Sequence, residues 1–350
     1  MKRIGNIFQD IISIENLKLA DENARKNKTR KEAIIEHDKH KEEDILLLHE
    51  MLKNKTFKNS PYTEFTIYEK KERKIAKLPY FPDRIVHHAI VQVLKNTWDS
   101  VLTNNTFSSI KGRGVLSCSV YTDKLIRKYE GCPLYCLKID VKKFYPSIDH
   151  DVLKWIIRKK IKDKDVLWLL DEIIDSKEGL PIGNYISSYF ANLYLSYFIH
   201  YMKEVVKVDC CEYADDIVFL ADNKEFLHKI LHEEIMPYLK DKLKLEVKEN
   251  YQVFPVAYDS SDKYGRPIDF VGYKAYRNHK LLRNDIRQTI IRKVRNLNKG
   301  NLTVKRYISE LAPWIGWLKY SDSRELVRRI VPKHYLPHLE KILDRKKKIH

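Results

Sequence analysis

A pair of adjacent acids at the mouth of an apolar strand is the feature that most constrains this chain. Tyr213-Ala214-Asp215-Asp216 runs directly into Ile217-Val218-Phe219-Leu220. A strand of that composition belongs in a core, and an ionised carboxylate buried without a partner is very costly. A lone Asp-Asp pair is most often a solvated turn, so the pair needs company to mean more. Asp140 supplies it, 75 positions upstream, at the end of the β-like stretch Leu137-Lys138-Ile139-Asp140. Neighbouring strands of one sheet would bring Asp140, Asp215 and Asp216 together. Three hard oxygen donors in that arrangement suit a Mg²⁺ site of the kind used for phosphoryl transfer. For Asp140 the plainer alternative is a surface acid balanced by Lys142 and Lys143.

Charge points to the partner class. The 350 residues carry 66 Lys and Arg against 48 Asp and Glu, a formal excess of +18. That exceeds what solubility requires and favours a polyanion, nucleic acid first. A lysine-rich solvated surface would look the same on composition alone. No segment approaches the ~20 apolar residues of a membrane span, so no membrane partner is expected. Met1-Lys2-Arg3 is basic but opens onto an amphipathic stretch containing Asp10 and Glu15, which does not read as a secretory signal. Cys118, Cys132, Cys136, Cys210 and Cys211 form no CxxC pair and no Cys/His ligand spacing. They read as reduced thiols of a cytoplasmic protein, and zinc is not expected.

The periodicity gives a mixed α+β chain in which helices and strands do not alternate regularly enough for a doubly wound sheet. Residues 1–60 read as a polar helical extension. Residues 62–80 read as a hairpin around the basic turn Glu69-Lys70-Lys71-Glu72-Arg73-Lys74. Helices are expected over about 83–98, 115–129, 149–160, 165–175, 187–204 and 224–239. Leu243 to Val256 and Ile268 to Ala275 read as strands. From about Leu281 the pattern is helical and basic, ending in Arg345-Lys346-Lys347-Lys348.

The order of these motifs resembles a reverse transcriptase over about residues 60 to 280. Asp140 stands in its first palm motif and Tyr-Ala-Asp-Asp in its third. The resemblance implies a right-hand polymerase. Residues 1–60 would be an N-terminal extension, 61–135 fingers and the start of the palm, 136–279 palm, and 280–350 a basic helical thumb. It implies two Mg²⁺ ions, with Mn²⁺ as an alternative, held by Asp140, Asp215, Asp216 and the carbonyl of Val141. One ion activates a primer 3′-hydroxyl and the other holds the triphosphate. Tyr145, five residues after Asp140, resembles the steric gate that favours dNTPs over rNTPs. An ordinary core aromatic beside Phe144 is the alternative.

Leu180-Pro181-Ile182-Gly183-Asn184-Tyr185-Ile186-Ser187-Ser188 resembles the second palm motif, with Ile182 and Gly183 at the nucleotide. Most of the family has Gln where Ile182 stands. An aliphatic residue there is similar to the diversity-generating retroelement class, whose enzymes copy template adenines inaccurately. That class usually reads Ser-Gln where this chain has Ser187-Ser188. Asp83-Arg84-Ile85-Val86-His87-His88-Ala89 resembles a segment of the same class. A capping acid and packing or template-facing histidines explain it better than a metal cluster does. Arg73 and Lys74 fall where the fingers contact a triphosphate. Phe270-Val271-Gly272-Tyr273 resembles the primer grip, and a buried strand with a bulge glycine is its alternative. Lys248 lies near the position of a family lysine sometimes given a proton-donating role.

Nucleic-acid contacts are expected at Lys111 and Arg113 in a glycine-punctuated loop, and at Arg283, Arg287, Arg292 and Lys293 on a thumb helix. The implied partners are a template RNA, the RNA–DNA hybrid, dNTPs and a small basic accessory protein. An antiphage defence reverse transcriptase and a catalytically silent RNA-binding scaffold are the competing readings. A group II intron maturase fits less well, with about 75 residues after the primer grip.

Overall fold

The computed structural model describes residues 3–68 and 72–344. Met1-Lys2, Glu69-Lys70-Lys71 and the basic tail Arg345-Lys346-Lys347-Lys348 lie outside the described residues. The chain forms two compact units. One contains the segments up to Thr103, Val141–His200 and Met236–Glu246. The other contains Asn104–Asp140, Tyr201–Ile235 and the segment from Val247 onward.

The first unit is mainly helical. Helices α1 (Phe8–Ile12), α2 (Ile14–Arg25), α3 (Glu32–Lys39) and α4 (Lys41–Lys53) precede a hairpin of β1 (Thr63–Tyr68) and β2 (Glu72–Lys77). Helix α5 (Ile85–Asp99) follows and packs most heavily on α2. Its apolar face, Ile85, Ala89, Ile90 and Leu94, is fully buried. Asp21 anchors the bundle. Burial alone would raise its pKa, but hydrogen bonds from His37, Arg25, Tyr80 and Lys41 overcome that and hold the carboxyl far below its usual range. Further along the chain, α7 (His150–Arg158) and α8 (Lys164–Ile174) belong to this unit. The Asp149 carboxylate accepts the Val152 N–H at 3.0 Å, and Asp163 accepts those of Asp165 and Val166, as helix N-caps do.

The second unit holds the main sheet. After β3 (Thr106–Phe107) come α6 (Val115–Arg127) and β4 (Tyr135–Asp140). Helix α9 (Ser187–Glu204), which belongs to the first unit as far as His200, leads to the hairpin of β5 (Asp209–Tyr213) and β6 (Asp216–Ala221), then α10 (Lys224–Ile230) and β7 (Gln252–Pro255). The strand order is β3-β5-β6-β4-β7, with β3 parallel to β5 and the other pairs antiparallel. A three-stranded sheet of β8 (Ile268–Phe270), β9 (Tyr273–Ala275) and β10 (Lys280–Leu282) follows. Helices α11 (Asn284–Leu297), α12 (Val304–Lys319), α13 (Arg324–Ile330) and α14 (Leu336–Asp344) close the described chain around Tyr307, Leu311 and Leu339.

Three expectations are corrected. The helix expected over 224–239 is α-helical only to Ile230 and continues in wider turns. Of the strand expected over Leu243–Val256, only Gln252–Pro255 is strand, with isolated bridges at Val247 and Val256. Leu243 and Leu245 alternate with exposed Lys244 and Glu246, so the segment carries a strand's pattern without a strand's ladder. Lys244 adopts φ +51°, which takes the chain out of extended geometry. Arg73 and Lys74 lie not in the turn but on β2, opposite Ile67 and Thr66.

Candidate active site

Antiparallel pairing of β4 with β6 sets Asp140 directly opposite Asp216. Successive strand residues alternate faces, so Lys138 shares the face of Asp140. Asp215 sits one residue before Asp216, at the hairpin turn where Ala214 takes φ +55°. The acids named from the sequence are therefore gathered at one end of the central strands. Burial pushes the Asp216 carboxyl above its ordinary pKa. Lys138 opposes that rise, while Asp140 and Asp215 add to it.

Two lysines provide the counter-charge. Lys138 Nζ lies 3.3 Å from Asp216 Oδ1 and donates to the Asp269 carbonyl at 2.7 Å. Lys248 Nζ donates to Asp140 Oδ1, and the Lys248 N–H donates to the Asp140 carbonyl at 2.9 Å. Beside them is a cleft of about 400 Å³ lined by Lys138, Asp140, Asn250, Gln252, Arg266 and Asp269. Among the described residues no group of three His, Cys, Asp or Glu is clustered so as to enclose a metal ion. What the sheet offers is a cross-strand pair of carboxylates beside a cleft. That donor set fits Mg²⁺, which is commonly held by one or two carboxylates and completed by substrate phosphates.

The other expected nucleotide residues fall in the first unit. Tyr145 opens a short 3₁₀ turn, half-buried and edge-on to Phe144, and its carbonyl accepts the Leu180 N–H at 2.8 Å. Ile182 and Gly183 lie against β2, where the Ala76 N–H donates to the Ile182 carbonyl at 2.9 Å. Gly183 has φ +123°, and a Cβ there would stand 2.8 Å from the Ala76 carbonyl oxygen. Backbone contact with the hairpin gives this glycine a structural reason of its own. Gly183→Ala should cost about 1–3 kcal/mol from strain and the clash, read as a lowered urea midpoint with unchanged slope. The histidine segment packs: His87 is buried and lowered by that burial to about 3. His88 is lowered to about 4, again mainly by burial, and stacks on Tyr185 at 3.9 Å. Asp83 accepts the Ser60 N–H at 2.9 Å.

At the β8–β9 turn, Gly272 has φ +85°, and a Cβ would fall within 2.6 Å of Trp317 and 2.7 Å of Ile286. Phe270 and Tyr273 are core side chains, Gly272 is buried with them, and Val271 is half-buried against the core. Some expected cationic contacts are already paired. Arg283 binds Asp269 at 2.5 Å and Lys293 binds Glu310 at 2.6 Å. Arg292 is exposed and folds back on Thr289 and Gln288. Arg287 is half-buried, Lys111 is exposed, and Arg113 is half-buried in its loop.

Two residues escaped the sequence reading. Lys138 could have been found from its place two residues before Asp140, which puts both on one face of a strand. Glu212 is fully buried on β5 and accepts from Thr106 Oγ1 at 2.8 Å. Its burial is invisible in a sequence that places it beside a tyrosine and the acid pair.

Residues 57–274 match the family model described as reverse transcriptase (RNA-dependent DNA polymerase), well over half of the chain. The chain belongs to the reverse transcriptase family. Among curated proteins it is 25% identical over 167 residues to the group II intron-encoded protein LtrA of Lactococcus lactis subsp. cremoris, covering 44% of this chain and 27% of that protein. The chain thus spans about a quarter of the curated relative's length. Among solved structures it resembles apo telomerase from Candida tropicalis, with TM-score 0.53 at 12% identity, covering 81% of this chain and 56% of that one. Telomerase from Candida albicans, solved with a fragment of telomeric RNA, gives TM-score 0.51 at 11% identity, covering 83% and 65%. At such identities the likeness establishes fold alone: α+β, of the right-hand polymerase kind. No helix among the described residues is long and apolar enough to cross a membrane.

Proposed function

We propose that this chain synthesises DNA on an RNA template by two-metal nucleotidyl transfer, with Asp140, Asp215 and Asp216 as its catalytic acids. The observation that carries this reading is the register match of Asp140 with Asp216 at the sheet end, beside a polar cleft. Divalent cations bound there, with the Val141 carbonyl as a further ligand, would neutralise charge developing on the attacking 3′-oxygen and on the phosphates. The acids fix that charge in place. Lys138 and Lys248 keep the carboxylates oriented against mutual repulsion. Arg73 and Lys74, exposed on β2, offer cations to a triphosphate, with Ile182 and Gly183 lining the nucleotide position.

Phe270, Gly272 and Tyr273 form the primer-gripping turn. Lys111, Arg113, Arg287 and Arg292 contribute sequence-neutral phosphate contacts to the hybrid, and Arg283 and Lys293 do so by exchanging their present carboxylates for phosphates. Residues 61–135 would serve as fingers and the start of the palm, 136–279 as palm and 280–350 as thumb, after an extension over 1–60. The partners are a template RNA, dNTPs and a small basic accessory protein. Ile182, where Gln is usual, supports placement in a diversity-generating retroelement, with errors at template adenines.

The experiment is primer extension on a defined RNA template with Mg²⁺ and dNTPs, followed by deep sequencing. Template-complementary DNA with errors concentrated at adenines supports the whole reading. Faithful copying keeps the polymerase and removes the diversity-generating assignment. No extension, even with the native RNA and accessory protein added, leaves the RNA-binding scaffold. Tyr145→Ala should raise rNTP incorporation relative to dNTP by roughly tenfold to a hundredfold, the range of a removed steric contact, in competition assays. An unchanged ratio would assign Tyr145 to packing.

A further inference from the structure

Lys138 has an unusual set of partners, all within the sheet unit. Its ammonium lies 3.3 Å from Asp216 Oδ1, donates to the Asp269 carbonyl at 2.7 Å and sits 5.9 Å from the centre of the Phe270 ring. The Asp269 carboxylate in turn binds Arg283 through Nε at 2.6 Å. Arg283 precedes the first turn of α11, and its N–H donates to the Gly272 carbonyl at 2.9 Å. A series of contacts, one of them through the Asp269 backbone carbonyl, therefore runs from Asp216 through Lys138 and Asp269 to the β8–β9 turn and the start of α11. Lys248 forms no part of it, pairing with Asp140 instead.

We propose that Lys138 is a positioning residue that stands in for a divalent cation at Asp216. It holds the Asp216 carboxylate opposite Asp140 before metal is bound, and yields that carboxylate when metal arrives. This rests on the reading of the acids as metal ligands. The location of the ammonium supports the placeholder role. It forms an ion pair at 3.3 Å with one Asp216 oxygen on the face that Asp140 shares, and its hydrogen bond goes to a backbone carbonyl. On leaving Asp216 the lysine thus keeps one strong hydrogen bond, so its charge is not stranded in the sheet. The carbonyl belongs to Asp269, whose side chain holds Arg283. A change at Asp216 is thereby coupled to the turn and to α11. Lysine suits this role as a compact charge on a flexible stem, whereas an arginine fork would bind the carboxylate bidentately.

The test is Mn²⁺ binding to the full chain without nucleic acid, followed by the EPR signal of free ion. Wild type, Lys138→Met, Lys138→Arg and Asp216→Asn are compared. Lys138→Met should bind Mn²⁺ roughly tenfold more tightly, the scale of removing one competing unit charge a few ångströms away at high effective dielectric. Lys138→Arg should stay within about threefold of wild type or bind more weakly. As a second measurement, the rise in melting temperature between EDTA and Mg²⁺ should be larger in Lys138→Met than in wild type, because the variant's apo state has lost its counter-charge. Unchanged or weaker Mn²⁺ binding in Lys138→Met, with Asp216→Asn still defective, would overturn the placeholder role and leave the acids as ligands. Equal binding by wild type and Asp216→Asn would remove the ligand reading itself, and this proposal with it.

Discussion

Asp215→Asn is expected to lower single-nucleotide addition by at least about a thousandfold while leaving hybrid binding within a few-fold of wild type. The substitution keeps size and hydrogen-bonding capacity but removes one full negative charge. Charge is what a two-metal site requires: the cations contribute several kcal/mol to the stabilisation of the transferring phosphoryl group, and each is held by carboxylates. Asp140→Asn should behave alike. Because these acids act as a unit, the double variant should be scarcely worse than either single one. Rapid-quench incorporation measures the chemical step, and filter binding of a labelled RNA–DNA hybrid measures affinity. A loss confined to binding would place Asp215 outside the chemistry. Thermal melting guards against a trivial loss through unfolding.

Glu212→Gln should flatten the dependence of stability on pH. Glu212 is fully buried, and its second carboxylate oxygen finds no hydrogen bond among the described residues. Burial raises its carboxyl to about 8, against a partial opposing pull from the Thr106 hydroxyl. The folded chain therefore binds this proton more tightly than the unfolded chain does. The stabilisation is complete below the ordinary glutamate value and is lost progressively as pH rises through about 8. The shift corresponds to about 4 kcal/mol between pH 5 and pH 9. Gln is neutral throughout and has nearly the same shape, so the variant should be close to wild type at pH 4 and increasingly more stable than it as pH rises to 8 and above. Urea unfolding at four pH values measures this. Parallel curves for the two proteins would show that Glu212 does not carry the proton.

Much of the site was legible because it rests on local pattern. The acids terminate apolar β-like runs, and strand pairing is the simplest way to bring two such ends together. The hairpin of β1 and β2 and the helices α5 through α9 follow periodicity with few errors at their ends. The sequence misled where periodicity had no tertiary meaning. Leu243, Glu246 and their neighbours alternate as a strand would, yet Lys244 turns out of extended geometry and the strand itself begins only at Gln252. Strand β3 has two residues and leaves no pattern to read.

Long-range pairing was out of reach altogether. Arg283 and Lys293 look like free cations on a basic helix. Their partners Asp269 and Glu310 are on other elements, and only the fold brings each pair together. The same holds for Lys138 and Asp216, 78 positions apart in the chain and joined by the β4–β6 register. Gly183 illustrates a different limit. The sequence placed it at the nucleotide, but the surface it approaches is the Ala76 backbone.

The central claim is that the Asp140–Asp216 sheet end adds nucleotides under the direction of RNA. The most direct measurement is single-nucleotide incorporation on four RNA templates that differ only in the templating base, each offered all four dNTPs separately with Mg²⁺. Incorporation dominated by the complementary dNTP on templates ending in G, C and U, abolished by Asp215→Asn, is the predicted result. Incorporation that ignores the template, or that persists undiminished in Asp215→Asn, would contradict it.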